Sequence, residues 1–412
     1  MDISITPKKL YGTVSAPKSK SICHRALICA ALSDKPTRLN VTDPPYDVKK
    51  TIELLRIIGA KITVAPDYID VVPISMMHDE AVFDCGQSSS TLRFAIPIAA
   101  SLGINSVFTG NVSTEHISPL MDSLKNHGCN FESSTLPIRM TGKIKNGTYY
   151  IPAYESSQFV SSLLMGLART EGESRIVLLP PINSKRYIDQ TVSVLESFGA
   201  NIEIEPDGYI IHGRPFVSPG RFDVEADYAA SSVWLATGVG VKGLSMKSSQ
   251  ADETVIDVLV SMGALIFEMD GVLHCNSSNL HSFCLHASQF PDIVTSLCAV
   301  AATAQGTSHI MGVGKLKHRE SDRLEGICEL INALGGKAYS FEEDIIIEGT
   351  PKLRGGEAPC CGDHRLVLAA AVMSCKCEEP VIIKNAEAVA KSYSNFWSDF
   401  TSVGGEYDVI RM

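Results

Sequence analysis

Several short stretches of the chain combine cations, hydroxyls and amides at spacings that suit a small anion. Pro17-Lys18-Ser19-Lys20-Ser21, with Arg25 about one helical turn further on, puts two lysines and two hydroxyls at a helix start. Unpaired backbone N–H groups and the positive end of the helix dipole both favour phosphate there. Ser156-Ser157-Gln158 sets two hydroxyls and an amide at another helix start, and Ser184-Lys185-Arg186-Tyr187 adds a basic and hydroxyl cluster just after Pro180-Pro181. The stretch LKHRESDR, residues 316 to 323, is dense in opposite charges ahead of an amphipathic helix. Its bland reading is a charged first turn capped by Ser321 or Asp322. Gly362-Asp363-His364-Arg365 runs directly into the apolar LVLAAAV. An unpaired guanidinium would be costly there, so Arg365 calls for an anion. Lys391, in AKSYSNFW, is ambiguous by itself.

Other chemistries leave no such trace. The eleven histidines show no metal-ligand spacing, and no P-loop, nucleophile elbow or dinucleotide fingerprint occurs. The twelve cysteines sit mostly in apolar contexts such as SICHRALICAAL, without a CxxC, and read as reduced and structural. The opening MDISITPKKLYG has no apolar export segment, and no stretch approaches the roughly 20 apolar residues of a membrane span. A cytoplasmic protein without a membrane partner is expected. The 36 Lys and Arg against 46 Asp and Glu give a net charge of −10. That field has the wrong sign for a general nucleic-acid binder, so bound anions must be held by local clusters.

The elements that must position these clusters repeat along the chain. Six segments share an amphipathic helix ending in Gly plus a small residue, then an alternating strand, a turn and a second strand; LLRIIGAKITVAPDYIDVV and LESFGANIEIEPDGYIIHG are two of them. The marker glycines are Gly59, Gly128, Gly199, Gly263, Gly335 and Gly404, with successive gaps of 69, 71, 64, 72 and 69. Each fits a helix C-terminus that ends in a left-handed residue. A second series interleaves with the first: KSICHRALICAAL, SSSTLRFAIPIAAS, SSQFVSSLLMGLA, ADYAASSVWLATGVG, QFPDIVTSLCAVAATA and GDHRLVLAAAVM. Each has a polar start and a nearly all-apolar body, which predicts a helix buried on most sides with its N-terminus at a surface. The fold class that follows is α+β: six copies of a helix, strand, helix, strand unit, three per domain, with ligand in the cleft between domains.

The motifs PKSKSxxxRA, CGxSxxTLRF, SSQFxSxLLM, SKxYID, VExD, FPD, ESDR, GDHR and AKSYxxFW stand in one order and at set intervals. Together they closely resemble the EPSP synthase family, 3-phosphoshikimate 1-carboxyvinyltransferases, over roughly residues 15 to 400. The resemblance implies the two-domain enolpyruvyl transferase fold, an inside-out α/β barrel. It places residues 1–14 and 227–412 in one discontinuous domain of three repeats and residues 15–226 in the other. It implies transfer of the enolpyruvyl group of phosphoenolpyruvate to the 5-hydroxyl of shikimate 3-phosphate, with release of phosphate. No cofactor and no metal are needed, the partners are these small molecules, and a monomer is expected.

Residue by residue, the resemblance makes Lys20, Ser21, Arg25, Ser156, Ser157, Gln158, Ser184, Tyr187, Asp292 and Arg319 contacts of shikimate 3-phosphate. Lys20, Ser89, Gln158, Arg323, Arg365 and Lys391 line the phosphoenolpyruvate subsite. Asp292 matches the base for the 5-hydroxyl, Glu320 matches the acid for the methylene carbon, and Lys20 is counted with them as catalytic. Three positions depart from the family's pattern. Ser89 stands where Gly is usual, and its CH₂OH should crowd phosphoenolpyruvate and weaken inhibition by glyphosate, which occupies that subsite in the family. TGNVSTEHISPL lacks the Arg of the usual turn, with His116 the nearest basic group, which predicts a raised KM for phosphoenolpyruvate. Arg319 replaces a Lys, keeping the charge but not its geometry.

Two other readings compete. The sister activity, enolpyruvyl transfer to a UDP-sugar, goes with a Lys-Asn pair and a loop cysteine; this chain has Lys20-Ser21 and no Cys between residues 111 and 120. A non-catalytic protein on the same fold is the second, weighed against by the retention of Lys20, Asp292, Glu320, Arg323, Arg365 and Lys391.

Overall fold

Polar helix starts and glycine helix stops generate the same unit six times. In the computed structural model, which describes residues 1–76 and 78–411, every unit is a strand, a buried helix, a parallel strand, an amphipathic helix and an antiparallel pair of strands. Each sheet has four strands, with the first two parallel and the rest antiparallel. The unit built on Thr148–Pro152, Gly172–Leu179, Asn201–Glu205 and Gly208–Gly213 shows the pattern in one continuous piece.

Five of the six buried helices start on a side-chain cap. Ser19, Ser88, Ser156, Asp227 and Asp363 accept from the N–H groups of Ile22, Thr91, Gln158, Ala230 and Arg365. Each such cap stabilises its helix by about 1 kcal/mol. The sixth helix, Val294–Ala301, is entered through a 3₁₀ turn at Pro291–Ile293. Behind the starts the side chains are almost wholly buried, as in His364–Ser374. The Ala- and Ser-rich faces let helices approach closely. A Cβ on Gly166 would lie 2.9 Å from the Pro97 carbonyl, so helix Ser157–Arg169 packs directly on the backbone of Ser89–Leu102.

The marker glycines all have positive φ, from 79° at Gly199 to 108° at Gly59. Five directly follow the C-cap residue of an amphipathic helix, and Gly128 lies one position further on. The chain is thereby turned into the hairpin that follows.

The repeats group into two compact units, residues 1–17 with 226–412 and residues 18–225. Two repeats of the first unit and one of the second are completed by distant segments. Asp2–Thr6 pairs antiparallel with both Val381–Ile383 and Glu406–Arg411, so the first strand finishes the last repeat. Thr13–Ser15 pairs parallel with Gly240–Lys242, and in the other unit Arg221–Phe222 pairs parallel with Thr37–Leu39. At the passage between units, Asp227 N–H donates to Pro17 O at 2.8 Å in one, and Ser19 N–H donates to Glu225 O at 2.8 Å in the other.

Candidate active site

The residues singled out in the sequence form two clusters at helix starts, one in each unit. In residues 18–225, Lys20 opens helix Lys20–Ala31 and its Nζ donates to Asp47 Oδ2 at 2.9 Å. Lys18, half-buried, has its pKa lowered by burial, with Asp223 acting in the opposite sense. Arg25 is 3% exposed and is engaged mainly with protein. Its Nε donates to Thr191 Oγ1 at 2.6 Å, its Nη1 to Ser21 O at 2.7 Å, and its Nη2 to Ser161 Oγ at 3.2 Å and Tyr187 O at 3.3 Å. Four of its five N–H groups are thus occupied, leaving at most one for a ligand. Burial pulls its pKa down to about 10, a value at which the guanidinium still carries its charge at neutral pH.

Gln158 joins two helix starts. Its Oε1 accepts from Arg93 Nη1 at 2.9 Å, and its Nε2 donates to Ser90 Oγ at 2.9 Å, which fixes the orientation of the amide. Ser89 is the first residue of helix Ser89–Leu102 and is partly exposed beside buried Ser88. Ser156 caps the helix on which Ser157 and Gln158 lie. Ser184 caps Lys185–Ser197 in a left-handed conformation at φ 54°, and its carbonyl accepts from Tyr187 N–H at 3.1 Å. His116 also lies in the left-handed region at φ 64°, with Nε2 3.4 Å from Glu115 and Nδ1 3.6 Å from Glu155.

In the other unit, Glu320 lies between two cations: its Oε2 accepts from Arg323 Nη2 at 2.5 Å and its Oε1 is 3.4 Å from Lys391 Nζ. Arg323 Nε donates to Asp363 Oδ2 at 2.8 Å, and Ser321 Oγ to the same oxygen at 2.9 Å. Burial lowers the pKa of Arg323, but Glu320 and Asp363 outweigh it, and the net shift is upward. Arg365 Nη2 is 3.8 Å from Asp292 Oδ2, while its Nε and Nη1 are buried with no hydrogen-bond partner among the described residues. Both atoms are geometrically able to donate to an anion. Arg319 is partly exposed just before this group.

Asp47, Arg93 and Asp363 hold Lys20, Gln158 and Arg323 in place, and sequence reasoning did not assign them roles. Asp363 and Arg93 stand inside the quoted GDHR and TLRF motifs, so the signal was present. Asp47 stands 27 residues after Lys20 in an ordinary amphipathic first turn, with nothing local to mark it.

The family model described as EPSP synthase (3-phosphoshikimate 1-carboxyvinyltransferase) matches residues 5–400. The 3-phosphoshikimate 1-carboxyvinyltransferase of Clostridium kluyveri is 36% identical over 98% of each chain. That of Clostridium beijerinckii is 35% identical over 99% of this chain and 98% of its own. Among solved structures, EPSP synthase from Acinetobacter baumannii superposes with TM-score 0.82 at 21% identity, covering 99% of this chain and 100% of that one. The enolpyruvyl transferase NikO from Streptomyces tendae gives 0.80 at 18% identity, covering 99% and 98%. At these identities the structural likeness speaks for the fold alone.

Proposed function

The chain belongs to the EPSP synthase family, and from that premise we propose how its own residues carry the reaction. It is a 3-phosphoshikimate 1-carboxyvinyltransferase: it transfers the enolpyruvyl group of phosphoenolpyruvate to the 5-hydroxyl of shikimate 3-phosphate and releases phosphate, a step toward aromatic amino acids. Asp292 takes the proton of the 5-hydroxyl as its oxygen bonds to C2 of phosphoenolpyruvate. Glu320 gives a proton to the methylene carbon, and the tetrahedral intermediate forms. Expulsion of phosphate with loss of a methyl proton restores the double bond.

The clusters divide the binding in our reading. Lys20, Ser21, Ser156, Ser157, Gln158, Ser184 and Tyr187 grip shikimate 3-phosphate, Arg25 mainly by holding their helices, and Arg319 and Asp292 are assigned to the same substrate. Lys20, Ser89, Gln158, Arg323, Arg365 and Lys391 hold phosphoenolpyruvate. Lys20 serves both substrates and is the third catalytic group. The observation that carries this assignment is Arg365, whose buried Nε and Nη1 have no hydrogen-bond partner among the described residues. A carboxylate or phosphate fits them, and fixed cations around the developing anion are what the addition needs.

Arg323 and Lys391 hold Glu320 in one orientation, which suits a group that must address a single carbon of the substrate. We further infer a cytoplasmic monomer. All twelve cysteines are free thiols, which suits a reducing compartment, and no helix among the described residues is long and apolar enough to cross a membrane. The deciding experiment is phosphate release from phosphoenolpyruvate with shikimate 3-phosphate or with UDP-N-acetylglucosamine as acceptor. Release with the first alone is expected; release only with the second, or with neither, overturns the reading.

A further inference from the structure

A buried chain of polar side chains links three helices of residues 18–225. His24 Nδ1 lies 2.8 Å from Thr51 Oγ1, which lies 3.0 Å from Thr91 Oγ1, which in turn donates to Ser88 Oγ at 2.8 Å. None of the four residues is more than 2% exposed. They belong to Lys20–Ala31, Tyr46–Ile57 and the start of Ser89–Leu102.

The chain has a preferred sense of donation. Burial first, then the charges of Lys20 and Arg25, keeps His24 neutral by pushing its pKa well below the ordinary value. A neutral ring has one N–H, and His24 Nε2 is buried with no hydrogen-bond partner among the described residues. With the proton on Nδ1, His24 donates to Thr51, Thr51 to Thr91 and Thr91 to Ser88, and only an acceptor lone pair is left unmatched. The other tautomer would strand an N–H donor, the rarer state in folded proteins.

Ser88 Oγ also accepts from Thr91 N–H at 3.3 Å, so the chain ends on the N-cap of the helix that Ser89 opens. Asp47, in the first turn of Tyr46–Ile57, ties in from the other side. Its Oδ2 holds Lys20 at 2.9 Å, and its carbonyl is 3.3 Å from Thr91 Oγ1. Lys20 and Ser89 are therefore referenced to the same turn through Thr91 and Asp47.

Resting on the assignment of Lys20 and Ser89 to phosphoenolpyruvate, we propose that His24, Thr51, Thr91 and Ser88 are positioning residues that set the affinity for this substrate. They hold the start of Ser89–Leu102 in register with Lys20. Thr91 is the junction: its hydroxyl accepts from Thr51, and its one proton goes to Ser88 Oγ at 2.8 Å, with the Asp47 carbonyl a longer alternative acceptor at 3.3 Å. A shift there moves Ser89 relative to Lys20 first, and it reaches Gln158 through Ser90 and Arg93.

The test is steady-state kinetics in both substrates for the full chain and its Thr91→Val and Thr91→Ser variants, with thermal melts. Thr91→Val keeps the shape and removes the junction. It is expected to raise the KM for phosphoenolpyruvate about tenfold, the equivalent of one buried hydrogen bond. The KM for shikimate 3-phosphate and kcat should stay within about twofold, and Thr91→Ser should restore the wild-type values. An unchanged KM for phosphoenolpyruvate, or a parallel rise of both KM values with a lowered melting temperature, overturns the proposal. Should Thr91→Val not fold, Thr51→Val breaks the same chain one link earlier, and the same outcomes decide. Wild-type turnover in the same series separates failure of the relay from failure of the assigned reaction.

Discussion

Arg365 and Asp292 face each other at 3.8 Å, a distance for charge attraction but not for a hydrogen bond. The guanidinium is 4% exposed, and its Nε and Nη1 are unmatched, so without ligand the protein carries an under-compensated buried cation. Such a group destabilises the fold relative to an apolar side chain of similar length. Arg365→Met is expected to raise the melting temperature of the ligand-free protein by a few degrees, about 1–2 kcal/mol of stability. It should also abolish the further rise that phosphoenolpyruvate or phosphate produces in the wild type. Thermal melts with and without ligand check both halves; a variant that melts lower and is still stabilised by phosphoenolpyruvate contradicts the assignment.

Removing the proposed base or acid should reduce turnover without dismantling the site. Asp292→Asn and Glu320→Gln keep size and most hydrogen-bonding capacity while removing the transferable proton or its acceptor. Each is expected to lower kcat by roughly 10²–10⁴-fold, with calorimetric binding of shikimate 3-phosphate retained. Near-normal kcat in both variants would show that the roles lie elsewhere.

Arg25 makes a different prediction from its neighbours. Its fork reaches Thr191, Ser161, and the carbonyls of Ser21 and Tyr187, joining helices Lys20–Ala31, Ser157–Arg169 and Lys185–Ser197. Lysine cannot reproduce that planar set of donors. Arg25→Lys is expected to lose roughly 2–3 kcal/mol of stability and to weaken shikimate 3-phosphate. Ser21→Ala should weaken the same substrate with little change in melting temperature. Denaturant melts paired with calorimetry distinguish the two; equal melting of both variants would show that Arg25 is not the structural tie its contacts describe.

The glycine markers and polar helix starts made the sixfold plan legible because each is a local signal: a helix must begin and end somewhere, and few residue types do it well. Closure of the repeats was not legible. Arg221–Phe222 is a two-residue strand whose partner, Thr37–Leu39, lies nearly a whole unit away, and no local pattern announces such a pairing. The residues carrying charge at the candidate site were legible as types in motifs. Their mutual supports were less so, since Lys20 finds Asp47 and Gln158 finds Arg93 across 27 and 65 residues. Arg25 shows the reverse limit, because its motif reads as a phosphate contact while four of its N–H groups are given to protein oxygens.

The turn that lacks the family's arginine has no clear cationic substitute in His116, whose ring nitrogens lie within 3.6 Å of the carboxylates of Glu115 and Glu155. The two acids offset what positive potential the imidazole has. The KM for phosphoenolpyruvate is expected to exceed that of relatives that keep the arginine, with the KM for shikimate 3-phosphate unaffected. Parallel kinetics on this chain and one such relative check it, and matching KM values for phosphoenolpyruvate would contradict it.

Ser89 gives the sharpest test of the proposed phosphoenolpyruvate subsite. It opens its helix next to buried Ser88 and next to Ser90, which accepts from Gln158, so neither neighbour is free to yield space. Ser89's hydroxymethyl group projects where the family's glycine has none. Glyphosate, longer than phosphoenolpyruvate, should feel that group more than the substrate does. Weak inhibition of the wild type is expected, with inhibition at least about tenfold tighter in Ser89→Gly, and only a small fall in the KM for phosphoenolpyruvate. The inhibition constants of the two proteins, measured against varied phosphoenolpyruvate, decide the matter: tight inhibition of the wild type with no gain in the variant would place Ser89 outside the subsite.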